Sequence, residues 1–213
     1  YQWTEGKGGR IDGTPTISDL AFFISAEYKP WSWMSVCPGV RAFLMADYEA
    51  PVAVPSILTK FDLTPDMDIR LSYAYGFRTP TLQELYFSFH NDNHDIDGNP
   101  DLKAEYSNNV TGSFTYRILH NARIRLTTTL SGFYNVFKDK ISLAQNVDIP
   151  NYNTYYNIGR YKTLGGALET SLAWGGLRVN VNASLIGRYN KYASDDKSLP
   201  QFRYSPEVST TIS

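Results

Sequence analysis

Asp68-Ile69-Arg70-Leu71-Ser72-Tyr73-Ala74-Tyr75-Gly76-Phe77 decides the fold class. Its odd positions are Ile, Leu, Tyr, Tyr and Phe, and its even positions Asp, Arg, Ser, Ala and Gly. A period of two is the signature of a strand with one apolar face and one polar or small face. Working outward, Ile124, Leu126, Thr128 and Leu130 alternate with Arg125, Thr127, Thr129 and Ser131, and Leu177, Val179, Val181, Ala183 and Leu185 with Arg178, Asn180, Asn182 and Ser184. Tyr106, Val110, Phe114 and Tyr116 within 105–117, and Leu164, Leu168, Leu172 and Trp174 within 164–174, continue the pattern. Less regular strands are expected over about 17–29, 34–47 and 52–63, and a ninth opens near Arg203. The chain is all-β and antiparallel.

The connections alternate in length. Thr64-Pro65-Asp66, Leu119-His120-Asn121 and Gly175-Gly176 read as tight turns, and Lys29-Pro30-Trp31-Ser32 as a connection nearly as short. The links at 78–103, 145–153 and 190–202 are long, and only 48–51 breaks the rule. Charges fall almost wholly in one phase, as Asp68, Arg70, Arg123, Arg125, Glu169 and Arg178 do. An arginine on a lipid face costs about 2–4 kcal/mol at the bilayer midplane, so this phase reads as a wet interior and the apolar phase as the lipid face. Arg160 and Lys162 fall in the apolar phase but far from the Gly175 turn, where the strand would stand above the membrane. Trp31, Trp33 and Trp174 sit beside short turns, as an interfacial aromatic belt requires. Aromatic residues make up 15% of the chain, with 16 Tyr, which suits such a belt. No run approaches the ~18 apolar residues of a spanning helix. A net charge of -1 argues against a nucleic-acid partner. The lone Cys37 excludes an intrachain disulfide and reads as a buried structural thiol. The chain opens at Tyr1 and stops in a strand at Ser213, so it reads as a piece of a larger protein.

Between two of these strands lies 76–105, read as a polar loop of about 25 residues; loops of that length are usually functional. Phe77-Arg78-Thr79-Pro80 opens it and Asn99-Pro100-Asp101-Leu102 closes it. The pair resembles the FRAP and NPNL boxes of TonB-dependent outer-membrane haem receptors, with Thr79 for alanine and Asp101 for the second asparagine. The resemblance implies a partial transmembrane barrel, about nine strands of about 22, in the outer membrane of a Gram-negative bacterium. It implies short periplasmic turns, long extracellular loops, and a plug domain and closing C-terminal strand outside residues 1–213. It further implies active uptake of a bulky scarce nutrient, haem or an iron-siderophore first and cobalamin after them. The partners implied are membrane lipid, the small-molecule ligand and, through the plug, the TonB complex.

By the same resemblance a histidine between the boxes captures haem. His90 and His94 both lie there, two of only 3 His in the chain. A neutral imidazole suits haem iron, and Tyr86, Phe87 and Phe89 are candidates to cover the porphyrin face. Solvated loop histidines are the alternative reading, and His120 in a turn is expected to be inert. Asn93-His94-Asp95-Ile96-Asp97-Gly98 also resembles the start of a calcium loop, yet Ala104 stands where the bidentate glutamate belongs. An acidic turn with Gly98 at positive φ is the expectation there, and no cofactor is required. Arg78, Glu84 and Glu105 are expected to pair and order the loop base. Tyr152, Tyr155, Tyr156 and Tyr192 suit either ligand contact or an outer aromatic girdle. No nucleophile elbow or phosphate-binding glycine loop is present, and Asp92, Asp95, Asp97, Asp195 and Asp196 are loop carboxylates without a tuning partner, so no enzyme is expected. A passive structural or adhesive barrel, and a soluble all-β binding module, are the competing classes.

Overall fold

A computed structural model describes residues 2–11, 13–45, 51, 53–91, 95–121, 123–145, 149, 151–189 and 200–213. Its strands in chain order are β1 (Gln2–Glu5), β2 (Thr16–Ser25), β3 (Tyr28–Trp31), β4 (Met34–Met45), β5 (Val54–Thr64) and β6 (Met67–Arg78). One helical turn, α1 (Leu82–Tyr86), precedes β7 (Ser88–His90) and β8 (Asp95–Asp97). Then come β9 (Glu105–His120), β10 (Ile124–Gln145), β11 (Tyr152–Trp174), β12 (Leu177–Tyr189) and β13 (Phe202–Ile212). The long strands form one antiparallel meander in the order β1-β2-β4-β5-β6-β9-β10-β11-β12-β13. Nine strands were expected; β1 is the unforeseen tenth on this path, four residues long and too short to show a period. The run expected at 17–29 is broken into β2 and β3, with a register slip between Tyr28 and Trp31. Residues 46–50 and 52, which include most of the link expected at 48–51, lie outside the described residues, as do 190–199 with Tyr192, Asp195 and Asp196.

The register joins the alternating faces across the sheet. Ile69 pairs with Phe114, Phe114 with Leu130, Leu130 with Leu168, Leu168 with Ala183 and Ala183 with Val208. One residue over, Asp68 pairs with Thr115, Thr115 with Thr129, Thr129 with Glu169 and Glu169 with Asn182. Directly paired residues share a face, so the apolar and polar phases run unbroken over five or more strands. The apolar phase is bare: Leu71 is 50% exposed, Leu130 56% and Val208 73%. The total accessible surface is 14021 Å², whereas a compact soluble monomer of this mass would expose about 10,000 Å². Such an apolar face requires a nonaqueous solvent.

Short turns at Pro65–Asp66 and Gly175–Gly176 gather at one end, the latter using Gly175 at φ 59. The indoles of Trp31 and Trp33 stack 5.3 Å apart beside the turn between β3 and β4, and Trp174, 59% exposed, stands beside another. At the other end β10 and β11 run 22 and 23 residues, twice the ~9–11 that cross a bilayer, and so project well beyond it. Cys37 is half-buried on the polar phase opposite Leu58 rather than buried in a core, because a single-layer sheet has no interior there.

Leu130→Arg is expected to cost the full-length protein about 2–4 kcal/mol, against near neutrality for Ser131→Arg on the opposite phase. Denaturant titration of folding into lipid vesicles measures both, and equal costs would contradict the assigned faces.

Candidate functional site

The stretch 79–104 is the best-packed part of the described chain, in contrast to the structureless polar loop expected. Thr81 caps α1: its hydroxyl accepts from Glu84 N at 3.2 Å, while Glu84 Oε2 accepts from Thr81 N at 2.8 Å. This reciprocal pair satisfies two otherwise orphaned donors. Amphipathic spacing then turns Leu82 and Leu85 inward, and Leu85, Leu102 and Ile141 form a cluster at 3–7% exposure. Ile17 of β2 and Tyr155 of β11 pack on it. In a flat sheet β2 and β10 would lie about 24 Å apart, five strand spacings of ~4.8 Å. Here both reach one cluster, so the sheet is strongly curved. Arg78, Glu105 and Ile17 all belong to the polar phase, which makes that face the concave one and places the loop across its mouth.

The two sequence boxes are the anchors of this arrangement. Arg78 Nη1 donates to Glu84 Oε2 at 2.8 Å and Nη2 to Glu105 Oε2 at 3.2 Å, the pairing expected from the sequence. Glu105 Oε2 also accepts from Ile141 N at 3.0 Å, tying both loop ends to β10. Pro80 is fully buried. Asn99 donates to Tyr155 O at 2.9 Å and accepts from Asp101 N at 2.9 Å. Asn157 holds the backbone of Lys103 from both sides, at 2.8 and 2.9 Å. Gly98 has no positive φ, contrary to expectation. It is required for a different reason: a Cβ there would lie 2.5 Å from Leu85 C and 2.6 Å from Leu85 O.

Burial alone would raise the Glu84 carboxyl, but the Arg78 guanidinium and the Thr81 donors outweigh it and hold the group below its ordinary value of 4.5. A lowered carboxylate stabilises the folded state above the unfolded value, and that contribution disappears as pH falls through the folded one.

His90 closes the β7–β8 ribbon. Its Nδ1 lies 3.2 Å from Asp95 Oδ1, and its Nε2 lies 2.8 Å from Ser88 Oγ and 3.3 Å from Asp97 Oδ1. The side chain is 57% exposed, but both ring nitrogens face polar partners. His94, Asp92 and Asn93 lie outside the described residues. Period two places Phe87 and Phe89 on the ribbon face opposite His90. Their rings stack 6.4 Å apart, and the Arg10 guanidinium lies 4.4 Å over Phe89. Tyr86 packs on the buried cluster. The structure therefore groups His90 with Asp95 and Asp97, and Phe87 and Phe89 with the 6–11 loop, as two separate faces. Asp95 and Asp97 engage His90, Asp97 also engages Tyr152, and Glu105 engages Arg78. No group of three or more His, Cys, Asp or Glu fit to hold a metal occurs among the described residues. Tyr152, Tyr155 and Tyr156 lie in β11 itself, and Tyr155 serves the loop core. The loop 7–11, Gln83 and Phe87 line an open cleft of about 640 Å³. Thr81-x-x-Glu84 was a readable capping signal; Asn157, Ile141 and Arg10 had none, because each acts across a long sequence separation.

The family described as TonB dependent receptor-like, beta-barrel matches residues 4–211. The hemoglobin and hemoglobin-haptoglobin-binding protein of Haemophilus ducreyi is 39% identical over 121 residues, 52% of this chain and 12% of that protein. Hemoglobin-haptoglobin-binding protein A of Haemophilus influenzae is 25% identical over 166 residues, 72% of this chain and 15% of that protein. The Serratia marcescens hemophore receptor HasR, solved with its hemophore HasA and heme, superposes at TM-score 0.71 and 13% identity, over 89% of this chain and 37% of that one. The siderophore receptor PirA of Pseudomonas aeruginosa gives 0.62 at 16% identity, over 96% and 48%. The chain thus spans a small part of the curated relatives and under half of these solved barrels.

Gly98→Ala is expected to destabilise the loop by about 1–3 kcal/mol, read as faster proteolysis within 79–104 with the barrel strands still protected. Lowering pH from neutral to below the ordinary glutamate value is expected to increase cleavage there in the wild type, as the lowered Glu84 carboxylate protonates. Glu84→Gln should show that sensitivity already at neutral pH, with less further change on acidification.

Proposed function

Because the chain belongs to the TonB dependent receptor-like β-barrel family, we propose that it forms part of the wall of an outer-membrane transporter that takes up haem or an iron chelate. The observation that carries the ligand class is the 39% identity over 121 residues to a haemoglobin-binding protein. The structural likeness to a receptor solved with hemophore and heme carries the fold. In this reading the loop 79–104 receives ligand at the mouth of the concave face. His90 is its candidate contact, with His94 beside it in sequence. Ligation through His90 Nε2 would exchange the Ser88 and Asp97 contacts for iron, a step favoured where imidazole stays neutral. Phe87 and Phe89 would meet ligand from the 6–11 side rather than stack around the same imidazole.

In this reading a plug and a closing strand outside residues 1–213 complete the receptor, and the TonB complex acts through that plug. The chain itself only binds and transfers ligand, without chemical change to it. A siderophore is the second reading, favoured by the likeness to PirA. In the full receptor, His90→Ala and His94→Ala together are expected to shift the Soret band and weaken haem binding at least about tenfold. An unchanged spectrum and affinity would remove these two residues from the site. Uptake that persists after collapse of the proton-motive force would point to a passive barrel instead.

A further inference from the structure

The outward phase changes character along the strands. On β10 it reads Ile124, Leu126, Thr128, Leu130, Gly132, Tyr134 and Val136, and then Lys138. On β11 it descends from Arg160 and Lys162 through Leu164 to Trp174. Lys138 is the direct cross-strand partner of Arg160, and Val136 that of Lys162. Like charges set directly opposite each other destabilise a sheet. Among the described residues no carboxylate forms an ion pair with Lys138, Arg160 or Lys162. Among the described residues the outward neighbours are Tyr106 opposite Lys138 and Asn108 opposite Val136 on one side. On the other side the Tyr189 ring lies 6.0 Å from Lys162 Nζ, with Phe202 against it at 6.0 Å. None of them is acidic.

The height of this cluster identifies its counter-ion. Twelve to fourteen residues separate Trp174 from Lys162 and Arg160. At ~3.3 Å per residue and a ~40° tilt they rise about 30–35 Å. The apolar band of such barrels is about 25 Å tall, so the three cations stand just past the hydrocarbon edge, at headgroup level, on the side away from the tryptophan turns. Tyr134 and Tyr204 lie immediately below them, at the position of an aromatic girdle. We propose that Lys138, Arg160 and Lys162 form a binding site for the phosphate groups of a phosphorylated lipid in the outer leaflet. The phosphate relieves the Lys138–Arg160 repulsion and receives charge-assisted hydrogen bonds from all three. The tyrosines and Phe202 pack on the lipid below. The site faces away from the lumen, so it is independent of which nutrient the receptor carries.

The full receptor in detergent is titrated with a bisphosphorylated glycolipid and with the same glycolipid after dephosphorylation. Wild type is expected to prefer the phosphorylated form at least about tenfold. The triple variant Lys138→Gln/Arg160→Gln/Lys162→Gln should lose that preference, and the single variant Arg160→Gln, which preserves folding more surely, should lose part of it. Haem binding followed on the same samples should not change. Equal binding of both lipids by wild type, or an undiminished preference in both variants, overturns the site. Full competition by inorganic phosphate at equal concentration overturns its assignment to lipid.

Discussion

Lipid offers no hydrogen bonds to a backbone, and an unsatisfied peptide group there costs several kcal/mol. Everything in this chain follows from meeting that condition with antiparallel neighbours. Once ten strands are paired in sequence order, the register obliges every second side chain to face the same solvent. The row from Ile69 through Phe114, Leu130 and Leu168 to Val208 faces one medium; the row from Asp68 through Thr115 and Thr129 to Glu169 faces another. A one-residue slip anywhere would carry arginines into the hydrocarbon. The alternation is thus both the evidence for the environment and the device that keeps the pairing unique.

The loop core at the mouth obeys the opposite rule. There the surroundings are aqueous, and stability comes from the usual sources: a capped turn, a few buried aliphatic side chains and an ion pair. Arg78 is the centre of it, since its two nitrogens join the helix cap at Glu84 to the start of β9 at Glu105, and Glu105 in turn holds Ile141. The two sequence boxes, which carry the family resemblance, therefore act first as the fastening of the loop to the wall. The His90 ribbon is displayed on top of that fastening.

The division between what was legible beforehand and what was not follows interaction range. Period-two strands, turn residues and the polar phase depend on neighbours one or two residues away, and these were readable throughout 68–77, 105–117 and 177–185. The Arg78 pairs were also foreseeable, because the charges flank one loop. The internal order of 79–104 was missed although Thr81 and Glu84 announced a helix start, since a single turn leaves too few residues to show a 3.6-residue period. Gly98 needs its missing side chain for a different cause than the expected one: the Leu85 backbone, thirteen residues away, approaches too closely, and that is too far for any local rule. The separation of Phe87 and Phe89 from His90 was latent in the alternation of 87–90, but a segment read as irregular gave no reason to apply it.

The meander has a further meaning for biogenesis. Apart from β3 on β4 and the short parallel pairing of β8 with β11, each long strand pairs only with those beside it in the path, so every hairpin closed by a short turn is a local event with little loop entropy to overcome. The wall can accordingly be laid down stave by stave, each newly added margin acting as the template for the next, without threading or strand exchange.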